Sequence, residues 1–203
     1  VRLSDKDRIE AGEEIMKSTY RITGLVNKML ELSDINSQVV LERNDTVTPL
    51  EIADQAISAS GINDARHLTF TLQTLEGSLT PFKTDQRAAA RILELLLDNA
   101  IKFTRPAEAY LTQVDSTAKK QSVKLTINNS KDTVRFIVDD TGIGIPPKEA
   151  EHIFDEFVQL DEYYNGTGVG LTVARSLARR LGGDIRLDTA HTACTRFIIK
   201  LPV

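Results

Sequence analysis

The sequence predicts an α/β (α+β) protein preceded by one long helix, on three observations. Apolar residues near the N-terminus recur at heptad spacing. The run over 88–104 is helix-forming and unusually apolar. Around these lie short segments of alternating polarity, which mark half-buried strands. The 203 residues suit one ordinary domain plus an appendage, or two small domains, and are enough to bury a core without disulfide staples. Cys194 is the one cysteine, which argues against a disulfide framework and a cysteine-based zinc site and fits a reducing compartment. No apolar run reaches membrane-spanning length, and no signal peptide is visible. A cytoplasmic location is expected, with anchorage of the parent protein in an inner membrane left open. Because the chain begins with Val1 rather than Met, it is expected to be a fragment. A net charge of −4 argues against nucleic acid as a partner.

Ser4 or Asp5 can cap the first helix. Ile15, Ile22 and Met29 fall seven apart, as do Leu25 and Leu32 on the neighbouring seam, with Ser18 and Asn36 in the polar gaps. A stripe this narrow buries against another helix. Gly12 and Gly24 are its weak points. The helix could lie on its own domain's core; a seam of a dimeric bundle is the favoured reading, because nothing directly after it can hairpin back.

Residues 39–43 read as a short strand. Thr48, Pro49 and Glu51 form a capping box with proline at the first helical position. That helix should run to Ser60 and stop at Gly61. Residues 67–73 alternate as a strand, and a weaker one begins at Gly77 and ends near Lys83. Thr84 or Asp85 caps the helix over 88–104, which is apolar nearly all round and so reads as buried. Residues 105–121 read as a loop or insertion. Residues 123–128 and 133–139, joined by 129–132, form a hairpin whose second strand delivers Asp140. A short helix is expected from Pro147, ending in 153–157 with Phe154 and Phe157 as core or lid anchors. Residues 146–165 read as a lid. The run 166–171 opens a helix to Leu181, ended by Gly182 and Gly183. Residues 184–188 and 195–201 close the chain as strands.

Chemistry concentrates in three places. In Asp139-Asp140-Thr141-Gly142-Ile143-Gly144-Ile145-Pro146, a carboxylate stands where a strand runs out into a glycine-bearing loop. Glycine lets the backbone turn and a ligand approach closely, and the carboxylate can accept from an amino group. The same residues could also make a plain turn. Asn99 and Lys102 are i,i+3 neighbours on one helix face. They could be a solvated edge, or the amide and ammonium that a phosphate and its metal ion require. Gly166-Thr167-Gly168-Val169-Gly170-Leu171 exposes free N–H groups at the positive end of a helix, an anion site by construction. It is neither a Walker loop nor G-x-G-x-x-G.

Taken in order, residues 91–104 (RILELLLDNAIKFT) resemble the N box of sensor histidine kinases. Residues 140–146 resemble their first glycine box, 153–157 their F box and 166–171 their second glycine box. Residues 181–185 and 197–202 also look like that family, so the resemblance covers essentially the whole chain. It implies a two-layer sandwich, with helices on one face of a mixed sheet and ATP held between helix and lid. By the same resemblance Asn99 ligates the Mg²⁺ that bridges the phosphates, and Lys102 contacts phosphate. Phe103 lines the adenine pocket. Asp140 accepts from the adenine amino group, and Gly142 and Gly144 give the ring room, with Ile145 in the same box. Gly166, Thr167, Gly168 and Gly170 wrap the triphosphate, with Leu171 closing their box. Thr195 matches a polar position near the adenine.

Residues 1–38 resemble the second helix of the dimerisation and phosphoacceptor domain, and 39–203 the catalytic and ATP-binding domain. The first helix, with the phosphoacceptor histidine, is not in this sequence. His67, His152 and His191 lack a His-Glu-x-x-Thr-Pro context and read as structural or surface residues. The sequence departs from the family at three points. Leu95 stands where a second Asn usually precedes the Mg²⁺ ligand, with Glu94 about 100° away round the helix. The lid before Gly166 is short, and Cys194 replaces a glycine. The activity implied is transfer of the γ-phosphoryl of Mg–ATP to a histidine on a dimerisation domain, for signalling to a response regulator. Partners implied are ATP, a second copy bound through the N-terminal helix, the parent's phosphoacceptor helix and the response regulator. Two other readings stand beside it: a serine kinase of the anti-sigma-factor type, and a nucleotide-binding interaction module with little turnover, for which Leu95 speaks best.

Overall fold

The computed structural model of the chain describes residues 8, 11–16, 18–19, 22–24, 26, 30, 33, 41–75, 79–104, 121–158 and 168–203. Two compact units emerge, Val1–Val39 and Val40–Val203. In the first, every described residue is helical, as the heptad spacing predicts. The Thr19 hydroxyl donates to the Ile15 carbonyl at 2.8 Å, and Ile15, Met16, Ile22, Val26 and Leu30 are exposed. Leu25, Met29 and Leu32, the insertion over 105–120 and the polar run 161–165 lie outside the described residues.

The second unit is a two-layer sandwich. Its strands are β1 (Asp45–Val47), β2 (Thr69–Thr74), β3 (Phe82–Thr84), β4 (Ser122–Asn129), β5 (Thr133–Asp140), β6 (Asp184–Leu187) and β7 (Thr195–Pro202). Its helices are α1 (Pro49–Ser60), α2 (Gln86–Thr104) and α3 (Gly170–Arg180). The main sheet runs β2-β4-β5-β7-β6, parallel between β2 and β4 and antiparallel elsewhere. A separate antiparallel pair joins β1 to β3. The helices lie on one face of the main sheet: α1 packs on α2, α2 on α3 and β5, and α3 on β6 and β7. Between the layers, Leu125, Ile127, Phe136, Val138, Ile185 and Ile199 meet Ile92, Leu93, Leu96 and Leu97 in a closed apolar core.

Local signals explain the helix ends. Thr48 Oγ1 accepts the Glu51 N–H at 3.2 Å while the Glu51 carboxylate accepts the Thr48 N–H at 2.7 Å, so two orphan donors are satisfied together. Gly61 follows with φ 65°. The Asp85 carboxylate accepts the Ala88 N–H at 2.9 Å and caps α2. The structure corrects the all-apolar reading of α2: Arg87, Arg91, Glu94 and Asp98, at i, i+4, i+7 and i+11, form a partly exposed polar stripe.

Two further expectations are corrected. Residues 41–43 carry no regular structure, and the strand lies at Asp45–Val47. There Val47 pairs with Phe82, and Arg43 is pinned from its side chain instead, donating to the carbonyls of Lys83 and Pro202, each at 2.9 Å. The single helix expected after Pro146 is two 3-10 turns, Pro147–Glu149 and His152–Phe154. Neither has a side-chain cap, and a short uncapped turn lacks the hydrogen bonds to propagate.

Candidate functional site

Asp140 ends β5 in the middle of the sheet, paired with Val123 on one side and Thr195 on the other. It is 5% exposed. Burial pushes its carboxyl up to about 6. The Gly142 N–H, donating at 3.0 Å, and the Thr195 side chain act against that rise, and the neighbouring Asp139 adds to it. Strand alternation sends Asp139 to the opposite face. There Arg196 holds it through Nε at 2.6 Å and Nη2 at 3.2 Å. The adjacent acids therefore stand in different settings: Asp139 is paired with a guanidinium, and Asp140 is buried on the helix side.

The loop after Asp140 is spliced to its neighbours. Thr141 N–H donates to the Ser122 carbonyl at 3.0 Å, and Ser122 N–H donates to Thr141 Oγ1 at 2.8 Å. Ile143 N–H donates to the Phe103 carbonyl near the end of α2 at 3.3 Å. A Cβ on Gly142 would stand 2.5 Å from that same carbonyl oxygen and 2.7 Å from Asp140 Oδ1, so only glycine fits. Gly144 follows at φ +79°, with Ile145 half-buried beyond it. Phe103, Asp140, Gly142 and Thr195 are thus brought together at the end of β5.

A second junction forms further back along α2. Leu95 is buried, and its Cδ2 lies 3.8 Å from where a Cβ on Gly170 would stand, so α2 touches the start of α3 there. Leu171 is half-buried in the first turn of α3. Gly168 has φ +66°, and a Cβ on it would meet the Phe157 carbonyl carbon at 2.6 Å. Phe157 N–H donates to the Gly168 carbonyl at 3.0 Å. Asn99 and Lys102 occupy the stretch of α2 between the two junctions and are half-buried, with Lys102 Nζ 4.6 Å above the Phe103 ring. Gly166 and Thr167 lie outside the described residues.

Asn99 offers one neutral amide oxygen to a cation. Glu94 is already engaged by Arg91 Nη1 at 2.8 Å. An oxygen donor of this kind is compatible with Mg²⁺, which prefers an all-oxygen shell completed by phosphate oxygens and waters.

Sequence reasoning missed two features. Phe157 takes φ 64°, a backbone region that bulky residues rarely adopt. Arg175, on α3, stacks 4.4 Å over the Phe154 ring and donates to Glu151 at 2.7 Å and Asp184 at 3.0 Å. It fastens the second 3-10 turn to the helix. No local pattern announces either feature, since each depends on segments far apart in the chain. Two of the three histidines make polar contacts: His67 Nε2 lies 3.1 Å from the Ile101 carbonyl, and His152 Nδ1 3.1 Å from Asp155.

A family described as histidine kinase-, DNA gyrase B-, and HSP90-like ATPase matches residues 84–203. Sensor histidine kinase WalK of Bacillus subtilis (strain 168) is 26% identical over 188 residues, 91% of this chain and 29% of WalK. The circadian input-output histidine kinase CikA of Synechococcus elongatus is 29% identical over 98% of this chain and 26% of its own length. The chain thus spans about a third or less of these relatives. Among solved structures, the mycobacterial sensor histidine kinase MprB superposes with a TM-score of 0.62 at 23% identity, covering 78% of this chain and 97% of MprB. That likeness establishes the fold. Among the described residues no helix is long and apolar enough to cross a membrane.

Proposed function

Because the chain belongs to the histidine kinase-, DNA gyrase B-, and HSP90-like ATPase family, we propose that residues 40–203 bind Mg–ATP and present its γ-phosphoryl for transfer to a histidine of a separate phosphoacceptor helix. The observation that carries this reading is Asp140, a buried carboxylate at a strand end, beside a loop whose Gly142 leaves no room for a side chain. In this reading Asp140 accepts from the adenine amino group, and Thr195 orients the carboxylate. Phe103 flanks the base. Lys102, on the same α2 turn as Asn99, neutralises phosphate charge, and the start of α3 offers its free N–H groups to the phosphates. Gly166 and Thr167 extend that cradle. Asn99 would hold the Mg²⁺, which supplies charge neutralisation for phosphoryl transfer. A response regulator is the downstream acceptor in this scheme, and a second copy of the chain associates through the N-terminal helix.

A second reading has a specific observation behind it. Leu95 puts an apolar side chain against Gly170, at the end of the cradle where a further metal ligand would be useful. A nucleotide-binding module with little turnover would tolerate that. Incubation with γ-labelled ATP and the parent's phosphoacceptor domain separates the two. Label on that domain is expected for the kinase; nucleotide binding without label would favour the module, and failure to bind ATP would sink both.

A further inference from the structure

The turn between β6 and β7 carries His191 and Cys194, spaced His-x-x-Cys, and the neighbouring β5 supplies Asp139. A nitrogen, a sulfur and an oxygen from these residues all lie within 4.8 Å of one another. His191 Nε2 and Cys194 Sγ are 3.2 Å apart. We propose that Asp139, His191 and Cys194 form a binding site for a borderline-soft divalent cation of the zinc class, on the sheet face opposite Asp140.

The donor set decides the cation. Zinc binds sulfur at about 2.3 Å and imidazole nitrogen at about 2.0–2.1 Å. Tetrahedral donors around such an ion stand about 3.5 Å apart, so the His191–Cys194 pair needs only a small outward shift to admit one. Thiolate and imidazole select zinc-like ions, whereas Mg²⁺ prefers an all-oxygen shell. The site is therefore chemically separate from any Mg²⁺ at Asn99. One cysteine is too few for a cysteine-based zinc site, but a mixed set needs only one. Three protein ligands leave a fourth position for water.

Two cations stand beside Asp139: Arg196, through its two hydrogen bonds, and Lys124, whose Nζ is 3.5 Å away. Arg196 bonds both carboxylate oxygens and so fixes the orientation of Asp139, leaving a metal ion the remaining lone pairs. Burial and the Asp139 charge push the Cys194 thiol above its ordinary value in the metal-free chain. Forming the metal–sulfur bond therefore breaks the S–H bond and releases that proton to solvent.

The test is a titration of the full metal-free chain with Co²⁺ and no nucleotide, followed by absorption. One equivalent should produce a thiolate-to-cobalt charge-transfer band and tetrahedral d–d bands, both abolished by added Zn²⁺. Cys194→Ser should remove the charge-transfer band, and His191→Ala and Asp139→Asn should each weaken Co²⁺ affinity at least tenfold. Circular dichroism establishes that the variants remain folded. Absence of the bands in the parent chain would overturn the proposal. So would unchanged affinity in folded His191→Ala or Asp139→Asn, which would reduce the site to an isolated thiol or a two-ligand contact.

Discussion

Burying a carboxylate costs folding free energy, and Asp140 is such a buried group. Its carboxyl sits at about 6 in the folded chain against an ordinary 3.8. The folded state therefore holds this proton more tightly than the unfolded one. Stability from Asp140 is full below the ordinary value, is lost as pH rises through about 6, and is absent above it, a difference of about 3 kcal/mol. Asp140→Asn should thus be more stable than the parent at pH 7.5, by about 1–3 kcal/mol in denaturant unfolding, with the gap closing near pH 4. A parent chain more stable than the variant at pH 7.5 would refute the desolvation argument. The same variant should lose adenine nucleotide affinity and the preference for ATP over GTP, and parent affinity should weaken as pH is lowered through about 6. Gly142→Ala forces a methyl onto the Phe103 carbonyl, so a loss of more than about 2 kcal/mol and of nucleotide binding is expected, read by calorimetry. The D-x-G-x-G pattern made Asp140 and Gly142 legible as a site. Why position 142 must be glycine was not legible, because the obstructing carbonyl comes from α2, remote in sequence.

Elements with local punctuation were readable, and those defined by remote partners were not. The α1 helix starts and stops where Thr48, Glu51 and Gly61 say it should, because those groups satisfy its ends within one turn. Thr48→Ala should lower stability by about 1 kcal/mol, with Thr48→Ser restoring most of it in thermal unfolding. The hairpin of β4 and β5 was equally plain from alternation. By contrast, β1 exists only because β3 lies beside it. The second turn after Pro146, His152–Phe154, packs against α3, which is remote in sequence. Arg175 makes one such contact, so Arg175→Ala should loosen residues 151–155 and cost about 1–2 kcal/mol, chiefly through lost stacking and packing. The ion pairs to Glu151 and Asp184 add little, since both acids are well exposed. Faster hydrogen exchange confined to that turn would match this account, and uniform acceleration across the sheet would contradict it.

At the scale of the whole chain, every described residue of the candidate site lies in Val40–Val203, while a row of apolar side chains lies in Val1–Val39. Ile15, Ile22, Val26 and Leu30 are 66%, 61%, 48% and 59% exposed, and they follow helical spacing along one stripe. Heptad spacing announced this helix, but spacing alone does not identify its cover, because an apolar stripe pairs with any complementary stripe. An exposed stripe of this kind drives association. Residues 40–203 alone should therefore be monomeric in sedimentation equilibrium and bind adenine nucleotide within about twofold of the full chain, since removing the stripe touches no described site residue. The full chain should self-associate, and a double substitution of Ile15→Glu with Ile22→Glu should reverse that without altering nucleotide affinity. Glutamate on a stripe that stays exposed costs little, but within a helix–helix seam it buries unpaired charge, so the two cases differ in sign and size. Self-association that persists in residues 40–203, or that survives both glutamates, would move the contact surface away from the helix.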